Sequence, residues 1–190
     1  MNRCFVLLFI CLLGFAPVTA TERAYFGGLT DEPANRIISR TTTLIALDST
    51  AESSGTVVEI RTHFDTAGVT FRARVFRSAG TDQFEVVGES QEMVSEAGFH
   101  SYTTEIPGVQ QGDYMGMVSY LGARDTMRVA RARGLSSYYY FAGDHASGVE
   151  TYVYVPSTAT ITIAGRIGLP ATATQRQHFL RLSRRRPQSR

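Results

Sequence analysis

The stretch VVEIRTHFDTAGVTFRARVFR, residues 57–77, decides the fold class. From Val57 to Phe64 the side chains alternate. Val58, Ile60, Thr62 and Phe64 fall on one face, with Glu59, Arg61 and His63 on the other. Asp65-Thr-Ala-Gly68 supplies turn chemistry. Alternation then resumes, with Val69, Phe71, Ala73 and Val75 on one side and Thr70, Arg72 and Arg74 on the other. A period of two is the repeat of a strand with one buried face, and the spacings of three and four that a helix needs are missing. Two such runs joined by a short glycine-containing turn predict a β-hairpin, with the arginines facing water.

The rest of the chain extends the pattern on both sides. Upstream, Thr42 to Leu47 reads as a strand, followed by a polar loop over 48–55. Downstream come Phe84 to Val87, Met93-Val94, Phe99 to Ile106, Tyr114 to Leu121, Asp125 to Ala130, Ser137 to Phe141, Glu150 to Val155, Thr158 to Ala164 and Gln177 to Ser183. Ile106-Pro-Gly-Val-Gln-Gln-Gly-Asp-Tyr-Met-Gly116 reads as strand, turn, strand, and Gly116 within the second strand marks a bend or a close crossing. About ten to twelve short strands with turn signals every 8–12 residues predict an all-β fold, an antiparallel β-sandwich with jelly-roll-like wiring.

The first twenty residues read differently. Arg3, the apolar run Cys4 to Phe15 and the small residues up to Ala20 have the layout of a secretory signal peptide. The expected organisation is therefore a signal peptide at 1–20, an extended lead-in at 21–41, a β-sandwich at 42–183 and a basic tail at 184–190. Elsewhere no apolar run is long enough for a membrane-spanning helix. Both cysteines, Cys4 and Cys11, lie in the signal segment, so the remaining domain relies on its core rather than on disulfides.

All 19 basic residues are arginine, and they are unevenly placed. Residues 21–170 hold 12 of them against all 17 acids, whereas 171–190 hold 6 and no acid. The body is mildly acidic, which disfavours nucleic acid as its partner. The basic end, with Arg181, Arg184, Arg185 and Arg186, fits an acidic polysaccharide or anionic surface, a processing site, or a solvated tail.

Several of these segments resemble a β-sandwich module of secreted and multidomain extracellular proteins of invertebrates. They are Phe71-Arg-Ala-Arg-Val-Phe-Arg, Phe84-Glu-Val-Val-Gly-Glu-Ser, Gly98-Phe-His and Ile106-Pro-Gly-Val-Gln-Gln-Gly-Asp-Tyr-Met-Gly. Tyr138-Tyr-Tyr-Phe, Ile161-Thr-Ile and Phe179-Leu-Arg-Leu fit its closing strands, so the resemblance spans about residues 42–183. It implies a fold and an extracellular address, and no activity.

Candidate chemistry is sparse. His63 and Asp65 share a face if the strand continues, as a metal or acid–base pair would, or they end a strand in a solvated turn. Asp144-His145 sits in a glycine-bounded loop, where either display of functional groups or plain turn formation places such residues. His100 and His178 stand apart. There is no Gly-x-Ser-x-Gly elbow, phosphate loop, zinc spacing or EF-hand, so no cofactor is expected. Calcium has carboxylates at Asp82, Asp113, Asp144 and Glu150, without a spacing motif. Tyr138, Tyr139, Tyr140, Tyr152 and Tyr154 are the better candidates. Alternation must turn some of these rings away from the main core, where tyrosine offers an amphipathic surface to sugars or proteins. The expectation is a secreted, non-enzymatic module binding an extracellular glycan or protein through the tyrosines with Asp144 and His145. A secreted hydrolase built on His63, Asp65, Asp144 or His145, and a structural matrix or coat component, are the alternatives.

Overall fold

Residues 57–77 form two strands, but not a hairpin. In the computed structural model, which describes residues 25–28, 34–38, 40–121, 127–130, 136–157 and 161–168, the two runs belong to different sheets. The first is β4 (Gly55–Phe64) and the second is β5 (Thr70–Gly80). Turn 65–69 carries the chain across the core. Alternation fixes which face of a strand is buried, but not which neighbour it pairs with. Both runs bury a face against the same core from opposite sides.

The described residues contain no helix, and every sheet pairing is antiparallel. The remaining strands, in chain order, are β1 (Tyr25–Gly28), β2 (Ala34–Ile38), β3 (Thr42–Thr50), β6 (Gln83–Glu89), β7 (Met93–Val94), β8 (Gly98–Val109), β9 (Tyr114–Tyr120), β10 (Met127–Ala130), β11 (Ser136–Ala142), β12 (Val149–Thr151), β13 (Val153–Ser157) and β14 (Ile163–Gly168). A four-stranded sheet has the order β1-β14-β4-β8. The larger sheet runs β12-β6-β5-β9-β3-β11-β13, with β7 also on β5, and β2 pairs with β10 separately. The lead-in thus contains a sheet strand, β1, whose edge is closed by β3. Ser49 Oγ accepts from the Gly27 N–H and donates to its C=O, both at 3.0 Å. The Gln177 to Ser183 strand, the signal segment and the basic tail lie outside the described residues.

The main core fills the space between the sheets. Ile60 and Phe64 of β4 and Ile163 of β14 meet Phe71 and Val75 of β5 and Met115 of β9, all fully buried. Each such side chain contributes about 1.5–3 kcal/mol on burial. A register shift between Val57 and Glu59 places Val57 in this core, while Val58 is left half-buried. β8 runs past Ile106, where the sequence predicts the strand to end, through Pro107 and Gly108, and the chain turns at Gln111-Gly112. Pro107 is exposed on this edge strand, where a missing N–H costs no ladder bond.

The large sheet has a second core on its other face. β12 lies at one edge of the sheet and β13 at the opposite edge, yet only Tyr152 separates them in the chain. The sheet must therefore curl until its edges meet. The Tyr152 N–H extends the β12–β6 ladder by one more bond, to the Asp82 carbonyl at 2.8 Å. Inside the curl lie Ile45, Phe76, Phe84 and Tyr152, with Tyr114 and Phe141 packed against them. A small curled sheet is filled by its own side chains, as in a small barrel. Gly116 makes room for this filling. A Cβ there would stand 2.2 Å from the Leu44 carbonyl oxygen and 2.7 Å from the Phe76 ring, so the glycine does permit a close crossing.

Candidate functional site

The curl gathers most of the chemistry-bearing side chains, and its two ends differ. At one end the Gly143–Gly148 loop closes over the opening. Arg74, expected to face water, is the largest fully buried side chain among the described residues, 1 % exposed. Alternation was correct in turning it away from the main core, but that direction leads into the curl. Its Nε and Nη2 donate to Glu89 Oε2 at 3.1 and 3.0 Å, and Nη1 donates to Asp144 Oδ1 and to the His145 carbonyl. Four of the five N–H donors are thus used, which is what a buried guanidinium requires. Tyr120 donates to the other Asp144 oxygen at 2.9 Å. Burial alone would push the Asp144 carboxyl up, but the hydrogen bonds from Arg74 and Tyr120 hold it below its ordinary value.

His145 is buried beneath the same loop. Its N–H donates to Thr43 Oγ1 at 3.1 Å, and that hydroxyl donates to the Gly143 carbonyl at 2.9 Å. Nε2 lies 3.0 Å from the Gly148 carbonyl, which can only accept, so Nε2 carries a proton. Nδ1 faces the Tyr152 hydroxyl. Both ring nitrogens are occupied, and the ring packs among Phe76, Phe141 and Tyr152. Asp144 and His145 therefore pin a loop.

The other end of the curl is an aromatic mouth. Phe84 sits edge-on to Tyr114 at 5.6 Å and tilts against Tyr139 at 4.9 Å, and Tyr139 tilts against Tyr154 at 5.4 Å. Offset and edge arrangements of this kind fix rings in place. The Tyr139 hydroxyl donates to Asp82 Oδ1. Burial pushes the Tyr139 phenol up to about 12, aided by the hydrogen bond to Asp82 and by its charge. Asp82 sits in the β5–β6 turn with φ +56°, a left-handed conformation that Asp tolerates better than most residues. Tyr154 is 47 % exposed and caps the row.

The tyrosines named from sequence therefore divide. Tyr139, Tyr152 and Tyr154 belong to the curl. Tyr138 and Tyr140 point the other way, Tyr138 buried in the main core and Tyr140 packed against it. Tyr138, Tyr152 and His145 are each 2 % exposed, so none of the three presents a surface to a partner. Arg181, Arg184, Arg185 and Arg186 lie outside the described residues. Sequence reasoning did not pick out Arg74, Phe84 or Tyr114. The one available sign was that Arg74 shares its strand face with Phe76, an aromatic residue that a water-facing row would not favour.

The remaining candidates are dispersed. β4 ends at Phe64, so Asp65 lies beyond the strand that carries His63. His63 Nδ1 is buried with no hydrogen-bond partner among the described residues. His100, on β8, meets the Ala97 carbonyl and Glu96. Asp113 is buried and held by Arg77, whose Nε and Nη2 each lie 2.9 Å from one of its oxygens. It also accepts the Gln110 N–H. No group of three or more His, Cys, Asp or Glu side chains gathers as metal ligands among the described residues. On the outer face of the four-stranded sheet, Glu59 binds Tyr25, Arg61 and Arg166. The Tyr25 hydrogen bond, with those of Arg166 and Arg61, brings its carboxyl down to about 2.

No family model, curated protein or solved structure matches this chain.

Proposed function

We propose that the chain is a secreted, non-enzymatic interaction module that recognises an extracellular glycan or protein through the aromatic mouth of the curled sheet. The observation that carries this reading is Tyr154, a half-exposed ring held by a second ring, Tyr139, which is itself tied to Asp82. A fixed amphipathic ring loses little freedom on binding, and tyrosine is enriched where surfaces meet. The extracellular address rests on the layout of residues 1–20 and on the resemblance to extracellular modules.

The hydrolase reading gains nothing from the geometry. Its residues fall in separate places, and the Asp144 oxygens and His145 nitrogens already have protein partners. Self-association through the β12 and β13 edges, as a coat component would use, meets a sheet whose two edges are brought together at Tyr152.

A glycan array and a pull-down from extracellular fluid, run with the wild-type chain and with Tyr154→Ala, test the proposal. Ligands retained by the wild type and lost by the variant are expected. A ligand bound equally by both would move the site elsewhere, and silence in both assays would remove the reading.

A further inference from the structure

The mouth has a second property besides exposed rings. Among the described residues, its charged groups are acids. Asp82 contributes a carboxylate whose Oδ1 accepts from Tyr139. Its Oδ2 is left without a hydrogen-bond partner among the described residues. Glu150 lies on β12, in register with Phe84 of the mouth, and is exposed. Among the described residues, the ion-paired arginines lie elsewhere. Arg72 and Arg74 lie at the opposite end of the curl and bind Glu89. Arg77 is neutralised by Asp113. Arg61 and Arg166 lie on the other sheet with Glu59. Among the described residues, then, no arginine side chain is bonded to the carboxylates of this mouth.

Rings and carboxylates in one patch select for charge. The face of a tyrosine ring is the negative part of its quadrupole and attracts a cation, guanidinium above all. A carboxylate beside it adds a hydrogen-bond acceptor and a full opposite charge. Neutral sugars use the ring without needing the charge, and anionic ones are repelled by Asp82 and Glu150. Building on the recognition face proposed above, we infer that the mouth formed by Tyr139, Tyr154 and Asp82 binds an arginine side chain of a basic polypeptide partner. The guanidinium lies over Tyr154 and donates to Asp82 Oδ2, and Glu150 adds long-range attraction.

The test uses the full chain and a fluorescein-labelled Gly-Arg-Gly-Arg-Gly peptide, followed by anisotropy at low salt. The control peptide carries citrulline in place of each arginine, which keeps shape and removes charge. The arginine peptide is expected to bind and the citrulline peptide to bind at least tenfold more weakly. Tyr154→Ala should weaken the arginine peptide by about 2- to 5-fold, the range of an exposed cation–π contact. Asp82→Asn should weaken it further. Asparagine keeps both the left-handed backbone and an acceptor for the Tyr139 hydroxyl, so this variant reads charge rather than folding. Glu105→Gln, an equal change of charge on the far sheet, should leave the affinity within twofold. Equal binding of the two peptides, or no effect of Asp82→Asn, overturns the inference. If a neutral oligosaccharide binds in a Tyr154-dependent way while the arginine peptide does not, the cationic partner falls and the recognition face stands. If neither ligand depends on Tyr154, both fall.

Discussion

The two ends of the curled sheet are built from the same strands and solve opposite problems. At the loop end a full positive charge is buried and must be matched. At the mouth end rings are left partly in water and must only be held still. Arg74 on β5 and Phe84 on the adjacent β6 both point into the curl, yet one is an obligation of the fold and the other packs beside rings left partly in water. Where polar groups are buried and fully partnered they serve the fold. Where fixed groups retain unpartnered surface they are available to something else.

Stranding the buried charge should produce the largest effect. Arg74 relies on Glu89 and Asp144. Replacing both acids by alanine leaves a guanidinium inside the curl with one carbonyl acceptor, and should cost about 3–5 kcal/mol in urea unfolding. Arg74→Met should cost far less. It removes the charge that needs matching, and both acids are about one-third exposed and can turn to water. If the double alanine variant proved as stable as Arg74→Met, Arg74 would not be the obligation assigned to it.

The middle of the curl, which both ends share, comes next. Gly116→Ala drives a Cβ into the Leu44 carbonyl oxygen and the Phe76 ring. Overpacking of this kind costs roughly 1–3 kcal/mol, read as a lower Tm. Phe76→Leu in the same background should recover only part of the loss, because the clash with the carbonyl remains. Full recovery would mean that ring packing alone requires the glycine.

These effects fall where the sequence was hardest to read, and the reason is physical. Alternation in 57–77 identifies both strands and, but for the bulge at Val57, their core-facing residues, because burial of one face is a local pattern. It does not state that β4 and β5 lie in different sheets, since pairing depends on partners distant in the chain. Nor does it reveal that the sheet curls. The curl is set by Tyr152 alone joining β12 to β13, which reads in sequence as one strand from Glu150 to Val155. Once the sheet is curled, its second face becomes an interior, and Arg74, placed correctly by alternation, is buried rather than solvated. The tyrosines were rightly expected to split between faces, but which of them reached water depended on that curl.

Acid should separate the loop end from the mouth. The Asp144 carboxyl is held below its ordinary value of 3.8. Its folded form therefore binds fewer protons than the unfolded chain. The stability it contributes is present above pH 3.8 and is lost as pH falls through the folded value. Hydrogen exchange should show residues 143–148 losing protection in that window, with β11 protected longer. Asp144→Asn should remove this part of the pH dependence. Glu59→Gln should remove a different part, between pH 4.5 and about 2, from the four-stranded sheet. A loop whose protection is unchanged on acidification would show that Asp144 does not pin it.

The smallest expected change in stability is also the one on which the comparison most depends. Tyr154→Ala removes a ring that is half in water and, among the described rings, packs on Tyr139 alone. It leaves Tyr139 tied to Asp82 and packed on Phe84. A surface truncation of this kind should change stability by no more than about 0.5 kcal/mol. A ring that stabilised the fold would behave like Phe76, whose loss from the interior should cost about 3–5 kcal/mol. If Tyr154→Ala unfolds the chain at a urea concentration close to that of wild type, the ring contributes little to the fold. Its fixed and half-exposed position then requires another explanation, for which ligand binding is the measurement. If instead it destabilises as Phe76→Ala does, the mouth is a second buried end, and the contrast between the two ends disappears.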